Sequence, residues 1–384
     1  MSSHAPSRPE AFDVVVVALS ARALARSAKR AGLRALSLDL FADADTREHA
    51  ARAVRVAAHG RGTGFDRRAL LAALDAHAPS GVPVVLGAGF EDAPGLMAEI
   101  GRRGPLRGAT PEQVRRLKDP FALASLMERV GAQHPRVATQ PHEGWLSKRI
   151  GASGGGHVRM GGRPARRRYF QERAVGEPLS ALFLANGCGA RIVGVSRQWT
   201  DPMPSSPFRY GGAVGPVAVP AALGAALAPL LDRLVAETGL TGLASLDMMV
   251  EGESFTALEM NPRPGATLDV FDRGDAPSLL AAHLDACAGR LPSSSPTGLA
   301  PQAAAVVYAP FACRVVGLER PSWTADWPAD GDLIPRGAPV CTALAAAATP
   351  EAARSLVDAR RSRLLTSLGA GLSAARLTRT TVPA

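Results

Sequence analysis

Apolar and polar positions along this chain follow two periods, and the alternation between them predicts the elements. Residues 13–20 (DVVVVALS) form a short unbroken apolar run rich in β-branched side chains, as in a strand buried on both faces. Residues 21–32 return to helical spacing and stop at Gly32, a plausible helix C-cap. The cycle repeats with a strand over 33–40, a helix opening at 41–50, a helix over 68–81 and a strand over 82–89 that enters a Gly-rich turn. Strand–helix alternation of this kind predicts a small open parallel sheet over residues 11–108. Two short helices follow over 109–135. A strand and a glycine loop over 147–160 lead to a strand and bend over 167–180. Asn186-Gly187 marks the turn of one hairpin and Glu251-Gly252 that of a second, with an amphipathic helix over 221–239 between them. After a helix at 277–289, residues 291–300 read as a linker. A strand then opens at Gln302, Pro- and Gly-rich chain runs to Cys341, and a helix closes the sequence over 349–368.

Composition narrows the class. A chain of 384 residues suits several small domains, and its 46% hydrophobic content is ordinary for a globular protein. No apolar run approaches the roughly 20 residues that span a bilayer, so a soluble, cytoplasmic protein is expected. Four scattered cysteines without a CxxC spacing argue against a zinc site or a disulfide framework. The net charge of +10 comes almost wholly from dispersed arginines. With 5% aromatic residues and no recognition motif, it does not indicate nucleic-acid binding. Lysine is more informative, because only Lys29, Lys118 and Lys148 occur. An ammonium retained in so Arg-rich a chain suits a phosphate contact that a planar guanidinium would not fit.

Three segments carry candidate chemistry. Glu259 lies twelve residues after Asp247 on the partner strand of the second hairpin, and Asn261 two further on. Residues two apart share a strand face, so two carboxylates and an amide oxygen can converge as a hard-oxygen site for Mg²⁺ or Mn²⁺. Arg263 continues the alternation and can meet an anion. Lys148 precedes a loop containing Ser153, Gly154, Gly155 and Gly156, whose unblocked N–H groups can wrap phosphate oxygens. This is not a P-loop, in which the lysine follows the glycines. Gln171 and Glu172 end an apolar strand that can pair its backbone with adenine and set a carboxylate near a ribose. A solvated hairpin face and a flexible surface loop are the plain alternatives for the first two segments.

Taken in order, Lys118-Asp-Pro, Lys148 with its glycine loop, Gln171-Glu172 and Asp247…Glu259-Met-Asn261-Pro-Arg263 resemble the ATP-grasp superfamily over roughly residues 12–345. The resemblance implies mixed α/β and α+β architecture: a Rossmann-like αβ domain (11–108), a lid (109–175), a metal and nucleotide subdomain (176–290) and a small β-rich C-terminal domain with a closing helix (301–384). It implies that Lys118 and Lys148 hold ATP phosphates and that Asp247, Glu259 and Asn261 hold Mg²⁺. A carboxylate would then become an acyl phosphate captured by an amine. The expected partners are small-molecule acid and amine substrates, and a homodimer is compatible. Ser20-Ala-Arg22, Asp39 to Thr46, Gly87 to Glu91 and Phe208 to Gly212 are similar to the ATP-grasp ligases of bacterial one-carbon metabolism, linked to tetrahydromethanopterin and methanofuran-type cofactors, a group similar to the ligases that attach glutamate to tyramine in methanofuran synthesis. On that comparison Ser20, Arg22, Glu91 and Arg209 bind substrate, and Glu91 orients an ammonium or takes its proton. In one departure, Asp119-Pro120 stands where many members have Asp-Lys. The alternatives are a bicarbonate-activating enzyme, to whose C-terminal domain residues 337–342 are similar, and a non-catalytic nucleotide-binding protein.

Overall fold

The computed structural model describes residues 11–60, 64–295 and 297–374, so the polar start expected over 1–10 lies outside them. β1 (Val14–Val17), β2 (Ala35–Asp39), β3 (Arg52–Arg55), β4 (Val84–Leu86) and β5 (Leu106–Arg107) form a parallel sheet in the order β3-β2-β1-β4-β5. They alternate with α1 (Arg22–Arg30), α2 (Ala44–His49), α3 (Arg67–His77) and α4 (Pro94–Gly101). Every residue of β1 and β2 is buried; β1 reads as an unbroken apolar run, whereas β2 buries Ser37 and Asp39 with its apolar residues. β3 was not legible in the pattern. It is an edge strand with an arginine at each end, and its burial does not alternate. The strand order reverses between β1 and β4, the place where open α/β sheets leave a crevice at their carboxyl ends.

α5 (Pro111–Lys118) starts at a Thr110/Gln113 capping box, and α6 (Pro120–Arg129) is capped by Asp119, which accepts from the Phe121 and Ala122 N–H groups. Asp119-Pro120 therefore serves as a helix start, with proline at the first position, where no N–H is needed. β6 (Val137–Ala138), β7 (Leu146–Arg149), β8 (Arg159–Met160) and β9 (Arg168–Gln171) make a small antiparallel sheet in the order β6-β9-β7-β8.

The remaining chain builds around an eight-stranded sheet. β10 (Glu177–Asn186) and β11 (Ala190–Thr200) form the first expected hairpin, and β12 (Tyr210–Gly215) pairs with β11. α7 (Ala221–Thr238) ends at Gly239 in the left-handed conformation, φ 64°. β13 (Thr241–Glu251) and β14 (Ser254–Asn261) form the second hairpin, followed by α8 (Leu268–Phe271) and α9 (Leu279–Cys287). β15 (Gln302–Tyr308), β16 (Cys313–Arg314), β17 (Thr324–Ala325), β18 (Leu333–Ile334), β19 (Pro339–Ala346) and α10 (Pro350–Ala374) complete the described chain. The C-terminal segment is β-rich as expected. β15, β19 and β17 extend the central sheet, because β15 pairs with β12, giving the order β14-β13-β10-β11-β12-β15-β19-β17. One core runs from Val15 and Leu86 through Leu117 and Met127 to Leu246 and Met260. The parallel sheet, α5, α6 and the underside of β13–β14 are thus fixed to one another by shared apolar burial. Among the described residues, no helix is long and apolar enough to cross a membrane.

Candidate active site

The β13–β14 hairpin places its polar residues by strand alternation with one bulge, at Leu258, between the Asp247–Glu259 and Met248–Ala257 pairs. Leu246, Met248, Ala257 and Met260 turn into the core, leaving Asp247, Glu259 and Asn261 on the opposite face. Asp247 stands directly across from Glu259, and Ser245 across from Asn261. Asn261 Nδ2 donates to Asp247 Oδ2 at 2.9 Å, and its Oδ1 accepts from Lys118 Nζ at 2.6 Å. These opposite demands fix the amide's orientation. Lys118, the last residue of α5, also donates to Glu259 Oε1. Its ammonium therefore lies where the two acceptor oxygens converge. Burial and the neighbouring Glu259 push the Asp247 carboxyl upward. Burial acts in the same direction on Glu259, but Lys118, with Lys148 and His157, overrides it and leaves that carboxyl lowered.

Sheet order brings in two side chains that the motifs did not reveal. Ser180 on β10 donates its hydroxyl to Asp247 Oδ1 at 2.6 Å, and Gln198 Nε2 on β11 reaches the same oxygen at 3.3 Å. They lie far from Asp247 in sequence, and only the order β14-β13-β10-β11 reveals the contact. With Asn261 on its other oxygen, both Asp247 oxygens accept hydrogen bonds, and Asp247 orients the Asn261 amide.

Lys148 comes from β7, paired with Tyr169 on β9. It makes no hydrogen bond or ion pair among the described residues. Burial lowers its pKa, and the pull of Glu259 and Asp247 opposes that shift. The loop after it threads between two walls. Gly151 (φ 74°) backs against Asp92, where an added Cβ would come within 2.8 Å of the Asp92 Cβ. Gly155 (φ 70°) passes Phe208, where a Cβ would lie 1.9 Å from the carbonyl oxygen. Tyr210 N–H donates to Gly154 O at 2.9 Å, and the Ser206 hydroxyl to Gly156 O at 3.1 Å. The N–H groups of Ser153, Gly154, Gly155 and Gly156 find no acceptor among the described residues. Between this loop and the hairpin lies a cleft of about 380 Å³, open solvent included, lined by Lys118, His134, His157, Tyr169, Gln171 and Glu259. Burial lowers the pKa of His157 to about 4 and also that of His134.

Several expected contacts are corrected. Gln171 turns inward to the cleft, but Glu172, next along the strand, faces outward. Its carboxylate pairs with Arg136 at 3.0 Å, and its N–H donates to the Arg136 carbonyl. Neither group is left for adenine or ribose. Arg22 is 2% exposed and locked by Asp269 at 2.5 Å and Asp326 at 3.0 Å, and the Ser20 hydroxyl donates to Asp326 at 2.8 Å. These two residues tie the N-terminal sheet to later chain. Arg209 holds Asp201 at 2.8 Å and the Gly337 carbonyl at 3.1 Å, and its guanidinium lies 3.6 Å from the centre of the Tyr308 ring. It braces β12 against the C-terminal segment. Glu91 does approach the cluster, but it accepts from Arg263 Nε at 2.8 Å and from Gly89 N–H at 2.7 Å. Burial works against its charge, yet Arg263 and Lys118 prevail and hold it at about 2. A carboxylate so acidic is a poor proton acceptor near neutrality. Of the three lysines, Lys118 lines the cleft, Lys148 lies near enough to Glu259 and Asp247 to feel their charge, and Lys29 donates to Glu48 O at the surface.

The model of the ATP-grasp domain matches residues 118–267, which include all the cleft residues named above. No curated protein matches the chain. Among solved structures the chain is similar to phosphoribosylamine–glycine ligase from Thermotoga maritima (16% identity, 92% of this chain and 96% of that chain, TM-score 0.67). It is similar to the biotin carboxylase domain of Hydrogenobacter thermophilus 2-oxoglutarate carboxylase, solved with MgADP, ADP and bicarbonate (12%, 90% and 88%, TM-score 0.70). A third is carboxyaminoimidazole ribonucleotide synthase from Aspergillus clavatus, complexed with ATP (14%, 91% and 98%, TM-score 0.64). The topology agrees with these matches: residues 118–267 match the ATP-grasp domain, and the chain has the ATP-grasp fold over nearly its whole length.

Proposed function

We propose that this protein is a Mg-ATP-dependent ligase that activates a carboxylate as an acyl phosphate and joins it to an amine. The observation that carries this reading is the Lys118–Glu259–Asn261–Asp247 cluster. Lys148, which pairs with none of the described residues, lies near enough to Glu259 and Asp247 to feel their charge, and Gly151 and Ala152 at the start of the glycine loop line the cleft with Lys118 and Glu259. Among the described residues no three His, Cys, Asp or Glu converge on a metal-sized site. The donors here are two carboxylates and an amide, a sparse oxygen set that suits Mg²⁺ with phosphate and water completing its shell. The Lys118 ammonium between Glu259 and Asn261 supports a preference for positive charge at this place. A bound divalent ion would offset charge on the β- and γ-phosphate oxygens.

Within that reading, Lys148 and the loop N–H groups hold phosphate oxygens, and Lys118 adds a second positive charge. A carboxylate oxygen attacks the γ-phosphorus and ADP leaves. The amine nitrogen then attacks the acyl carbon, inorganic phosphate leaves, and the proton passes to solvent, since Glu91 is already tied. Positioning and charge stabilisation supply most of the catalysis. The loop, seated between Asp92 and Phe208, shields the acyl phosphate from water.

The narrower likeness to one-carbon cofactor ligases would make glutamate the acid. Ser20, Arg22 and Arg209, which suggested it, are engaged in structural contacts, so they support the architecture more than that substrate. Structures similar to this chain include a biotin carboxylase domain, which keeps bicarbonate as a second reading for the acid. Oxygen-18 in the acid tests the proposal. Label appearing in inorganic phosphate after amide formation supports it. Unlabelled phosphate removes the acyl-phosphate step, and ATP turnover with bicarbonate and no amine favours the second reading.

A further inference from the structure

The glycine loop is one-sided in its hydrogen bonding. The Gly154 carbonyl accepts from the Tyr210 N–H at 2.9 Å, and that of Gly155 from the Val158 N–H at 3.1 Å. Gly156 accepts from the Ser206 hydroxyl at 3.1 Å and from Arg159 Nη1 at 2.8 Å. His157 accepts from Arg168 Nη2 at 3.1 Å, and Val158 from Arg159 Nη1 at 2.7 Å. Every carbonyl from Gly154 to Val158 is thus taken, yet no N–H from Ser153 to His157 has an acceptor among the described residues. In a planar trans peptide the carbonyl and the following N–H point opposite ways. Tying the Gly154 and Gly156 carbonyls to Tyr210, Ser206 and Arg159 therefore turns the Gly155 and His157 N–H groups away from those partners.

Two of the groups that hold this side are cationic. Arg159 opens β8 opposite Ser147, and Arg168 opens β9 opposite Arg149, so both lie beside the strand that carries Lys148. Arg168 Nε also donates to the Ser147 hydroxyl at 3.1 Å. Both arginines are half-buried, and their acceptors are loop carbonyls and that hydroxyl, with no carboxylate among the described residues. Burial lowers the Arg168 pKa, and the nearby Arg159 and Arg149 add to the shift. Arg166, in the turn just before β9, is exposed instead. Half-buried charge without a counter-ion is costly, and here it is spent on backbone carbonyls of one loop.

We propose that Arg159 and Arg168 are positioning residues for the nucleotide: by holding the loop carbonyls they aim the loop N–H groups at its terminal phosphates. The inference rests on the phosphate-holding part of the ligase reading and adds the groups that set the loop's polarity. Neither arginine touches the nucleotide. A guanidinium on a carbonyl polarises that peptide, so the N–H at its far end becomes a better donor. Holding the loop before ATP arrives also lowers the ordering cost of binding.

Calorimetry on the full chain tests this, with MgATP and AMP as ligands. Arg168→Met keeps the aliphatic stem and removes the donors. It should weaken MgATP binding about tenfold, the scale of one lost charge-assisted hydrogen bond. AMP, which lacks the two terminal phosphates, should keep its wild-type Kd within about twofold. Arg168→Lys restores a charged donor and should bring MgATP to within about threefold of wild type. Arg166→Met removes the same charge from an exposed position and should leave both ligands within about twofold. If Arg168→Met does not fold, Arg159→Met gives the same reading from the other brace. An unchanged MgATP Kd in the folded Met variant overturns the inference. So does equal weakening of MgATP and AMP, which marks general damage to the fold, or an equal loss in Arg166→Met, which marks net charge alone. Wild-type protein that binds no MgATP fails the nucleotide reading itself, and this inference with it.

Discussion

At the scale of single residues, the site is a set of charges held by reciprocal hydrogen bonds. Glu259 faces the cleft with its side chain 32% exposed, and it has one cationic partner, Lys118. Glu259→Gln keeps the volume and removes the charge, so the fold should persist. ADP formation should fall by a factor on the order of a hundred or more, the usual scale for losing a positioned electrostatic group. A wild-type rate in this variant, followed by a coupled ADP assay, would sink the metal assignment. Glu91 differs in kind, because it positions Arg263 and takes no proton. Glu91→Gln should raise KM for the acid by about tenfold, the scale of one weakened charge-assisted contact. It should leave the acid-to-neutral limb of the pH–rate profile unmoved. Loss of that limb would restore Glu91 as a base.

At the scale of elements, one strand alternation and one loop geometry make the site. β14 alternates core and cleft, and the bulge after Asp247 leaves Asp247 paired with Glu259. The glycine loop is seated by close backbone approach at Gly155, where a side chain would overlap the Phe208 carbonyl. Gly155→Ala also forces an L-residue into the left-handed region, so both effects unseat the loop. Protease should then cut residues 151–157 of the variant at the same rate with and without Mg-ATP, while the wild type gains protection from the nucleotide. Equal protection in the two proteins would show that the seat is unnecessary.

At the scale of the whole molecule, buried polar ties hold segments distant in sequence. Arg22 joins Asp269 and Asp326, residues over 240 and over 300 positions away. Arg22→Met leaves these carboxylates buried without their cation, which should destabilise by about 3–5 kcal/mol. Urea titration would measure it, and a shift under 1 kcal/mol, roughly that of an exposed pair, would show the tie to be idle. His283 links α9 to β5 and β13 as a neutral ring, its pKa lowered by burial to about 4 from 6.5. Between those values the unfolded chain binds a proton that the folded chain does not. Stability is therefore full above 6.5 and declines as pH falls toward 4, and His283 contributes about 2 kcal/mol of loss between pH 7 and pH 5. His49, His134 and His157 act in the same direction. His283→Gln should be less stable at pH 7 yet lose about 2 kcal/mol less on going to pH 5. An unchanged slope of urea midpoint against pH would place the proton elsewhere.

The linear chain determined whatever depends on local period and on residue type at fixed spacing. β1 was legible as an unbroken apolar run, β2 from its place in the strand–helix alternation, both hairpins from their turns, and Lys118 and Lys148 from their rarity. The face shared by Asp247, Glu259 and Asn261 followed from a period of two. Partnership across distant chain was decided only by the tertiary structure. Sheet order delivers Ser180 and Gln198 to Asp247, and the crossing of Asp326 onto the N-terminal sheet turns Ser20 and Arg22 from substrate contacts into a buried tie. The physical reason is that a polar side chain's role depends on whether burial leaves it a free donor. Arg22, Arg209 and Arg263 look alike in the sequence, and only packing leaves terminal nitrogens free on Arg263.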